Sequence, residues 1–401
     1  MAKKIIRILN RLAVGGPVLN ATYLTKYLAP EFETLLVVGE KEGHEKSADH
    51  ITQRLGIECV TIAGMGRSIN PLSDYGSYRQ LKKLINHFRP DIVHTHAAKP
   101  GAIGRLAAAS AKVPLILHTF HGHVFHSYFS PLKTKAFVQV ERYLASKSDA
   151  IIAISEQQRK ELVEDFRIAP PNKFRVVPLG FDLDRFQTDQ DRKRIQFRTE
   201  FGVKDNEIAI GITGRLVPVK NHGLFLAGLK HVLLKSSRKI KAFIIGDGET
   251  RADLEQQAKS LGIAFTGERD SVHPNPLIFT SWRSDIDVIN AGLDIICLTS
   301  FNEGTPVSLI EAQAANKPIV STRVGGISDI VAEGKTGLLS GIHDTDAFCA
   351  NLLQLVENEA LRQQMGATSS QYVLERFSYQ RLVNDMAAVY NELLERKGKN
   401  R

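Results

Sequence analysis

Short β-branched runs alternate with helix-length stretches along almost the whole chain, and the alternation starts twice. The first series of expected strands is 4–9, 34–38, 91–95, 115–118 and 150–154. After about residue 190 a second series runs through 208–213, 242–245, 277–280, 294–298 and 319–321. Uninterrupted apolar runs of four to eight residues, spaced by helical segments, specify parallel strands buried on both faces. The fold class that follows is α/β, with two Rossmann-like doubly wound domains facing a cleft. The expected division is 1–189, 190–377 and a terminal helical segment 378–401. The boundary falls on the stretch VVPLGFDLDRFQTDQDRKR, where Pro178 and Gly180 precede a polar, charged tail. In such sheets ligands sit at the carboxyl ends of the strands.

The 401 residues suit two or three domains. With 43% hydrophobic and 24% charged residues, the chain has the composition of a soluble globular protein. Three separated cysteines, Cys59, Cys297 and Cys349, fit neither a disulfide framework nor a cysteine zinc site. No apolar run reaches the length of a membrane span, and Arg7, Asn10 and Arg11 interrupt the first apolar segment. The expected location is cytoplasmic, or peripheral on the inner face of the cell membrane.

Three strand ends carry the chemistry. After the first strand come Gly15 and Gly16, with Gly16 expected as helix cap and Pro17 as first helical residue. A diphosphate can approach such a backbone and meet the free amides of a helix start; a tight turn would look the same. The second series opens alike, with Gly214, Arg215 and Lys220 around a strand end and Asn221 as the expected cap. Paired cations there can hold a diphosphate, or each can be an ordinary solvated charge. In the segment from Ser300 to Ala312, Thr305 is the expected cap and Pro306 the first helical residue. The amides of Val307 and Ser308 would then be open to an anion. Glu303 lies before this helix and Glu311 within it. Carboxylates bind phosphates poorly but accept readily from sugar hydroxyls, so the arrangement describes a sugar nucleotide. A capped helix with two solvated glutamates is the plainer alternative.

Glu303 and Glu311 form the E-x7-E pattern, and with it the chain resembles the retaining glycosyltransferases of family 4, group 1, of GT-B architecture. Gly15-Gly16, Gly214-Arg215 with Lys220, Gly246-Asp247-Gly248 and Val324-Gly325-Gly326 recur in that family's order across nearly the whole chain. The resemblance implies transfer of a sugar from a nucleoside-diphosphate sugar, most commonly a UDP-sugar, to a glycan or lipid-linked acceptor in cell-surface polysaccharide or glycolipid synthesis, with retention at the anomeric carbon. It assigns catalysis to His121, Glu303, Lys220 and Arg215. Donor binding falls to Gly15, Gly16, Gly214, Gly246, Gly248, Gly304, Thr305, Val307, Ser308 and Glu311. It also implies that the last helix crosses back to the N-terminal domain. Two departures stand out: Thr305-Pro306 replaces the usual Phe-Gly, and residues 268–276 look inserted beside the family's base site.

Nine of the thirteen histidines precede residue 190. His94 and His96 end a strand, and His118, His121, His123 and His126 follow closely. Imidazole clusters can bind zinc, but no HExxH-type spacing is present, and no metal or other cofactor is expected. The resemblance places His121 over the transferred sugar, with His123 and His126 on the acceptor side or merely packed. Asp182-Asp184 and Asp285-Asp287 match a DxD pattern yet read as turn and cap residues. A nucleotide-sugar epimerase or phosphorylase of the same fold is the rival enzyme. A basic nucleic-acid binder is the rival of another class, but no Arg-rich run or recognition motif supports it, so no nucleic acid is expected as partner.

Two closing helices are expected over 347–371 and 379–396, the second with an apolar face of Leu382, Met386, Val389, Tyr390 and Leu393. The net charge of +9 is uneven: residues 1–189 hold 26 Lys and Arg against 18 Asp and Glu, the remainder 26 against 25. A basic first half suits a phosphate-bearing acceptor at an anionic membrane; an evenly solvated surface is the plainer alternative.

Overall fold

The computed structural model describes residues 2–12, 16–40, 47–66, 70–122, 131–267 and 274–399. The chain divides into two units, one of residues 1–181 with 377–401 and one of residues 182–376. The division falls after Phe181 rather than after residue 189. Phe181 is held in the first unit: its amide bonds Phe377 O and its carbonyl accepts from Tyr379 N.

The first unit is built on seven strands, β1 (Lys3–Leu9), β2 (Phe32–Gly39), β3 (Cys59–Ile62), β4 (Ile92–His96), β5 (Leu115–Phe120), β6 (Ala150–Ala153) and β7 (Phe174–Val176). They form one parallel sheet in the order β3-β2-β1-β4-β5-β6-β7. Strand side chains alternate between faces, and this sheet buries both. Ile6, Ile8, Val93 and Ile116 point to one side, under helices Pro71–Phe88 and Ala98–Ser110. Ile5, Ile92, Leu115 and Leu117 point to the other, where the terminal helix Tyr379–Lys399 lays Leu382, Met386, Val389, Tyr390 and Leu393 against them.

The second unit repeats the plan with β8 (Glu207–Thr213), β9 (Lys239–Ile245), β10 (Phe265–Thr266), β11 (Leu277–Ser281), β12 (Ile295–Leu298), β13 (Ile319–Thr322) and β14 (Gly337–Ser340). Their parallel order is β10-β11-β9-β8-β12-β13-β14. Ile210, Ile212, Ile244, Phe279 and Cys297 join its main core with Phe225, Leu229, Phe348 and Leu352 from the covering helices. The expected helix 347–371 is two helices, Thr345–Glu357 and Glu359–Phe377, because Asn358 adopts an extended conformation between them.

Each sheet reverses its winding once, between β1 and β4 in the first and between β8 and β12 in the second. The connections after these strands leave in opposite directions, which opens a crevice at their carboxyl ends.

Candidate active site

In the second unit the crevice is made by the loops after β8 and β12. These loops are tied together: Phe301 N donates to Val219 O at 2.8 Å and Thr299 Oγ1 to Lys220 O at 3.0 Å. The result sets Lys220 Nζ 2.5 Å from Glu303 Oε1, which also accepts from Ser300 Oγ at 2.6 Å. The Glu303 side chain is only 11% exposed, so its charge is anchored by this pair of donors. Ser300 has no signal in a sequence scan; only the turn after β12 makes it a partner of Glu303.

Glycines bring the surrounding backbone close. A Cβ on Gly325, whose φ is +48°, would sit 1.9 Å from Glu303 O. One on Gly246, at φ +137°, would sit 2.0 Å from Gly214 O, and one on Gly248 2.3 Å from Leu216 O. Only glycine allows this approach, and it holds the loops after β8 and β12 in place. Gly304 differs, since nothing lies within 4 Å of its Cβ position, and Gly214 meets only the Lys220 stem at 3.8 Å. These two leave room rather than fill it.

The helix after Glu303 spans Val307–Ala314. Thr305 is not its cap and Pro306 is not its first residue: Pro306 stands at the cap position with ψ 98°, an extended value that keeps it outside the helix. Val307 and Ser308 remain the first two helical residues, whose amides have no acceptor inside the helix. Arg215 is exposed on the loop after β8. Asn221 does precede the helix His222–Lys235, but in a left-handed conformation (φ 48°, ψ 47°) with no side-chain capping bond. Cations after β8, glycine-lined space and open amides after β12 can together hold a diphosphate.

Glu311 Oε1 lies 3.4 Å from Arg185 Nη2. Burial pushes the Glu311 carboxyl up to about 7, with Arg185 opposing and Asp287 adding to the rise. Arg185 comes from the chain just inside the unit boundary and was not a candidate from sequence. The DxD-like pair beside it is engaged: Asp285 bonds Arg283, and Asp287 lies 2.9 Å from Lys193.

The first unit gathers its histidines by register. Arg7 pairs with His94 across β1 and β4, and His96 with Thr119 across β4 and β5. Arg7, His94, His96 and Thr119 fall on the face covered by the terminal helix, and His121 follows just past β5. His118 points to the other face, 2.9 Å from Thr95 Oγ1. Gly16 is not a cap but the first residue of the helix Gly16–Tyr27, with Pro17 second. A Cβ there would lie 3.5 Å from Leu179, an ordinary contact, so packing does not demand glycine at this position. Gly15, His123 and His126, and most of the 268–276 segment, lie outside the described residues.

Two parallel-sheet Rossmann-like units, each with a crevice at its winding reversal, define the GT-B class of architecture. Residues 14–185 match the family model described as Glycosyltransferase Family 4, and residues 193–372 the one described as Glycosyl transferases group 1. Between them the two matches take in most of both units, and the chain belongs to the family 4, group 1 glycosyltransferases. It is 27% identical over 342 residues to the Escherichia coli UDP-Gal:alpha-D-GlcNAc-diphosphoundecaprenol alpha-1,3-galactosyltransferase, covering 85% of each chain. It is 25% identical over 352 residues to the Staphylococcus aureus capsular polysaccharide biosynthesis glycosyltransferase CapM, covering 85% of this chain and 87% of that one. In fold it is similar to Anabaena Alr3699/HepE, solved in complex with UDP, at TM-score 0.80 and 17% identity over 97% of this chain and 100% of the other.

Proposed function

We propose that this glycosyltransferase moves a sugar from a nucleoside-diphosphate sugar, UDP-linked by preference, to a lipid-linked or glycan acceptor, with retention at the anomeric carbon. The observation that carries the reading is the Lys220–Glu303 pair beside the open amides of helix Val307–Ala314. The diphosphate binds Arg215, Lys220 and the amides of Val307 and Ser308, with Gly214, Gly304 and Thr305 leaving its path clear. Glu303 accepts from hydroxyls of the transferred sugar, Glu311 from the ribose, and His121 donates to the sugar. Gly246 and Gly248 keep the donor loop close-packed, and Gly15 and Gly16 are assigned to donor binding on the family resemblance alone.

Transfer proceeds on one face of the sugar. The bond from the anomeric carbon to the diphosphate oxygen breaks as the acceptor oxygen bonds to the same carbon, and the acceptor proton passes to the departing phosphate oxygen. Preorganised donors around that oxygen are each worth about 3–4 kcal/mol in such a step. No divalent ion is required in this reading, because Arg215, Lys220 and the helix amides take the leaving charge while Asp285 and Asp287 are held in ion pairs.

The E. coli relative's named UDP-Gal donor and diphosphoundecaprenol-linked acceptor support the UDP preference and the lipid-linked class. The first unit holds 30 Lys and Arg against 18 Asp and Glu, the second 22 against 25. Among the described residues no helix is long and apolar enough to cross a membrane. The surface proposed for peripheral contact is on helices Pro71–Phe88 and Pro131–Ser146, which carry exposed Leu72, Leu132 and Tyr143 and also Lys82, Lys133 and Lys135.

The test is a thermal-shift panel of UDP-, GDP- and ADP-sugars, followed by acceptor trials with the donor that binds. Glu303→Ala is expected to stay folded and lose transfer. Near-normal turnover by that variant, or conversion of the donor sugar without any acceptor, would overturn the reading; the latter outcome is what an epimerase gives.

A further inference from the structure

Arg7 is fully buried in β1, and its partners there are neutral side chains. Nη1 lies 3.1 Å from His94 Nδ1 and 3.3 Å from His96 Nε2, and Nη2 donates to Tyr390 OH at 3.2 Å. His96 Nδ1 lies 2.8 Å from His121 Nε2. The remaining ring nitrogen of His121, Nδ1, is buried with no hydrogen-bond partner among the described residues.

We infer that Arg7 and His96 are positioning residues that fix His121 in the Nδ1–H tautomer, so that it offers a donor to the ligand. The inference rests on the reading that His121 faces the transferred sugar, and it follows proton by proton. A guanidinium has only donors, so the nitrogens facing it, His94 Nδ1 and His96 Nε2, must present lone pairs. Burial, and the charges around it, hold His96 well below the usual imidazole range, and burial first, then Arg7, pushes His121 down to about 3. Each ring thus carries a single proton near neutrality. With Nε2 of His96 bare, its proton is on Nδ1 and is donated to His121 Nε2. That nitrogen is then an acceptor, and the His121 proton is left on Nδ1. The other branch agrees. Tyr390 OH lies 2.5 Å from His94 Nδ1, and His94 Nε2 donates to Thr119 Oγ1 at 2.7 Å. The opposite tautomer of His121 would set two N–H groups against each other at one of these contacts.

A buried N–H without an acceptor costs about 1–3 kcal/mol. A sugar hydroxyl arriving at Nδ1 removes that penalty, so the relay stores in the free protein a preference for an oxygen acceptor at that point. An imidazole free to switch tautomers would present a lone pair there part of the time.

Long-range 1H–15N spectra of the 15N-labelled full chain near neutral pH report which ring nitrogen carries the proton, with His121 identified by its loss in His121→Gln. The wild type is expected to show the Nδ1–H pattern alone. His96→Gln, whose carbonyl can accept from Arg7 and whose amide can donate to His121, is expected to keep it. His96→Leu and Arg7→Met are expected to lose it, giving signal at Nε2–H; if Arg7→Met fails to fold, the two His96 variants decide. An Nε2–H pattern in the wild type, or an unchanged Nδ1–H pattern in folded His96→Leu, overturns the inference. The measurement needs no substrate: absence of donor binding with Nδ1–H in place would count against the proposed function and leave the relay standing.

Discussion

Glu311→Gln isolates one buried carboxyl. The Glu311 side chain is 19% exposed and its 3.4 Å contact is to an arginine that is itself 45% exposed, so burial outweighs attraction and the native group titrates at about 7 instead of 4.5. The sign follows from proton linkage. Between those values the folded chain holds a proton that the unfolded chain has released. The contribution to stability is complete below about pH 4.5 and is lost as pH rises through about 7. At 1.36 kcal/mol per pH unit, the part lost between about pH 5.5 and 8 is roughly 2 kcal/mol. Glutamine keeps the shape and cannot titrate. Thermal unfolding of wild type and variant in matched buffers across that range cancels every other titrating group. The midpoint difference should move in favour of the glutamine protein by roughly 4–8 °C as pH rises, given about 2–4 °C per kcal/mol for a unit of this size. Parallel curves would refute the argument that burial governs Glu311. A difference moving the other way would mean that Arg185 wins.

Two further outcomes test the site and the surface. Gly325→Ala puts a methyl 1.9 Å from Glu303 O at a positive φ, and is expected to cost about 1–3 kcal/mol and weaken UDP binding, read by thermal unfolding and calorimetry; a variant equal to wild type in both would show that the loop can shift freely. Co-sedimentation with liposomes should rise with anionic lipid and fall when Lys82, Lys133 and Lys135 are changed to Ala, each cation near the surface adding about 1 kcal/mol. Binding indifferent to lipid charge would remove the membrane from the proposed function.

The central strands were legible because each is buried on both faces, so hydrophobicity alone marks it. The strands missing from the sequence reading are β3, β7, β10 and β14, and these are the four sheet edges. An edge pairs on one side only and can be short, as with Phe265–Thr266 or Phe174–Val176, so its apolar run is too weak to stand out. Helix starts were read one residue out at Gly16 and Pro306. Glycine and proline mark that a helix begins, whereas the exact cap depends on backbone angles set by neighbouring loops.

By itself, then, the sequence determined the doubled α/β plan, the strand ends at which function is proposed, and the charges and glycines stationed there, because burial, turn formation and phosphate affinity are local properties of residue type. The tertiary structure decided who partners whom. Ser300 and Lys220 converge on Glu303 only because β12 lies beside β8, and Arg185 reaches Glu311 from 126 residues away in the chain. Arg7, His96 and His121 become one relay only through the parallel register of β1, β4 and β5 and the cover of the terminal helix. Hydrogen bonds between distant residues leave no periodicity in a sequence, and they alone settle where the protons stand.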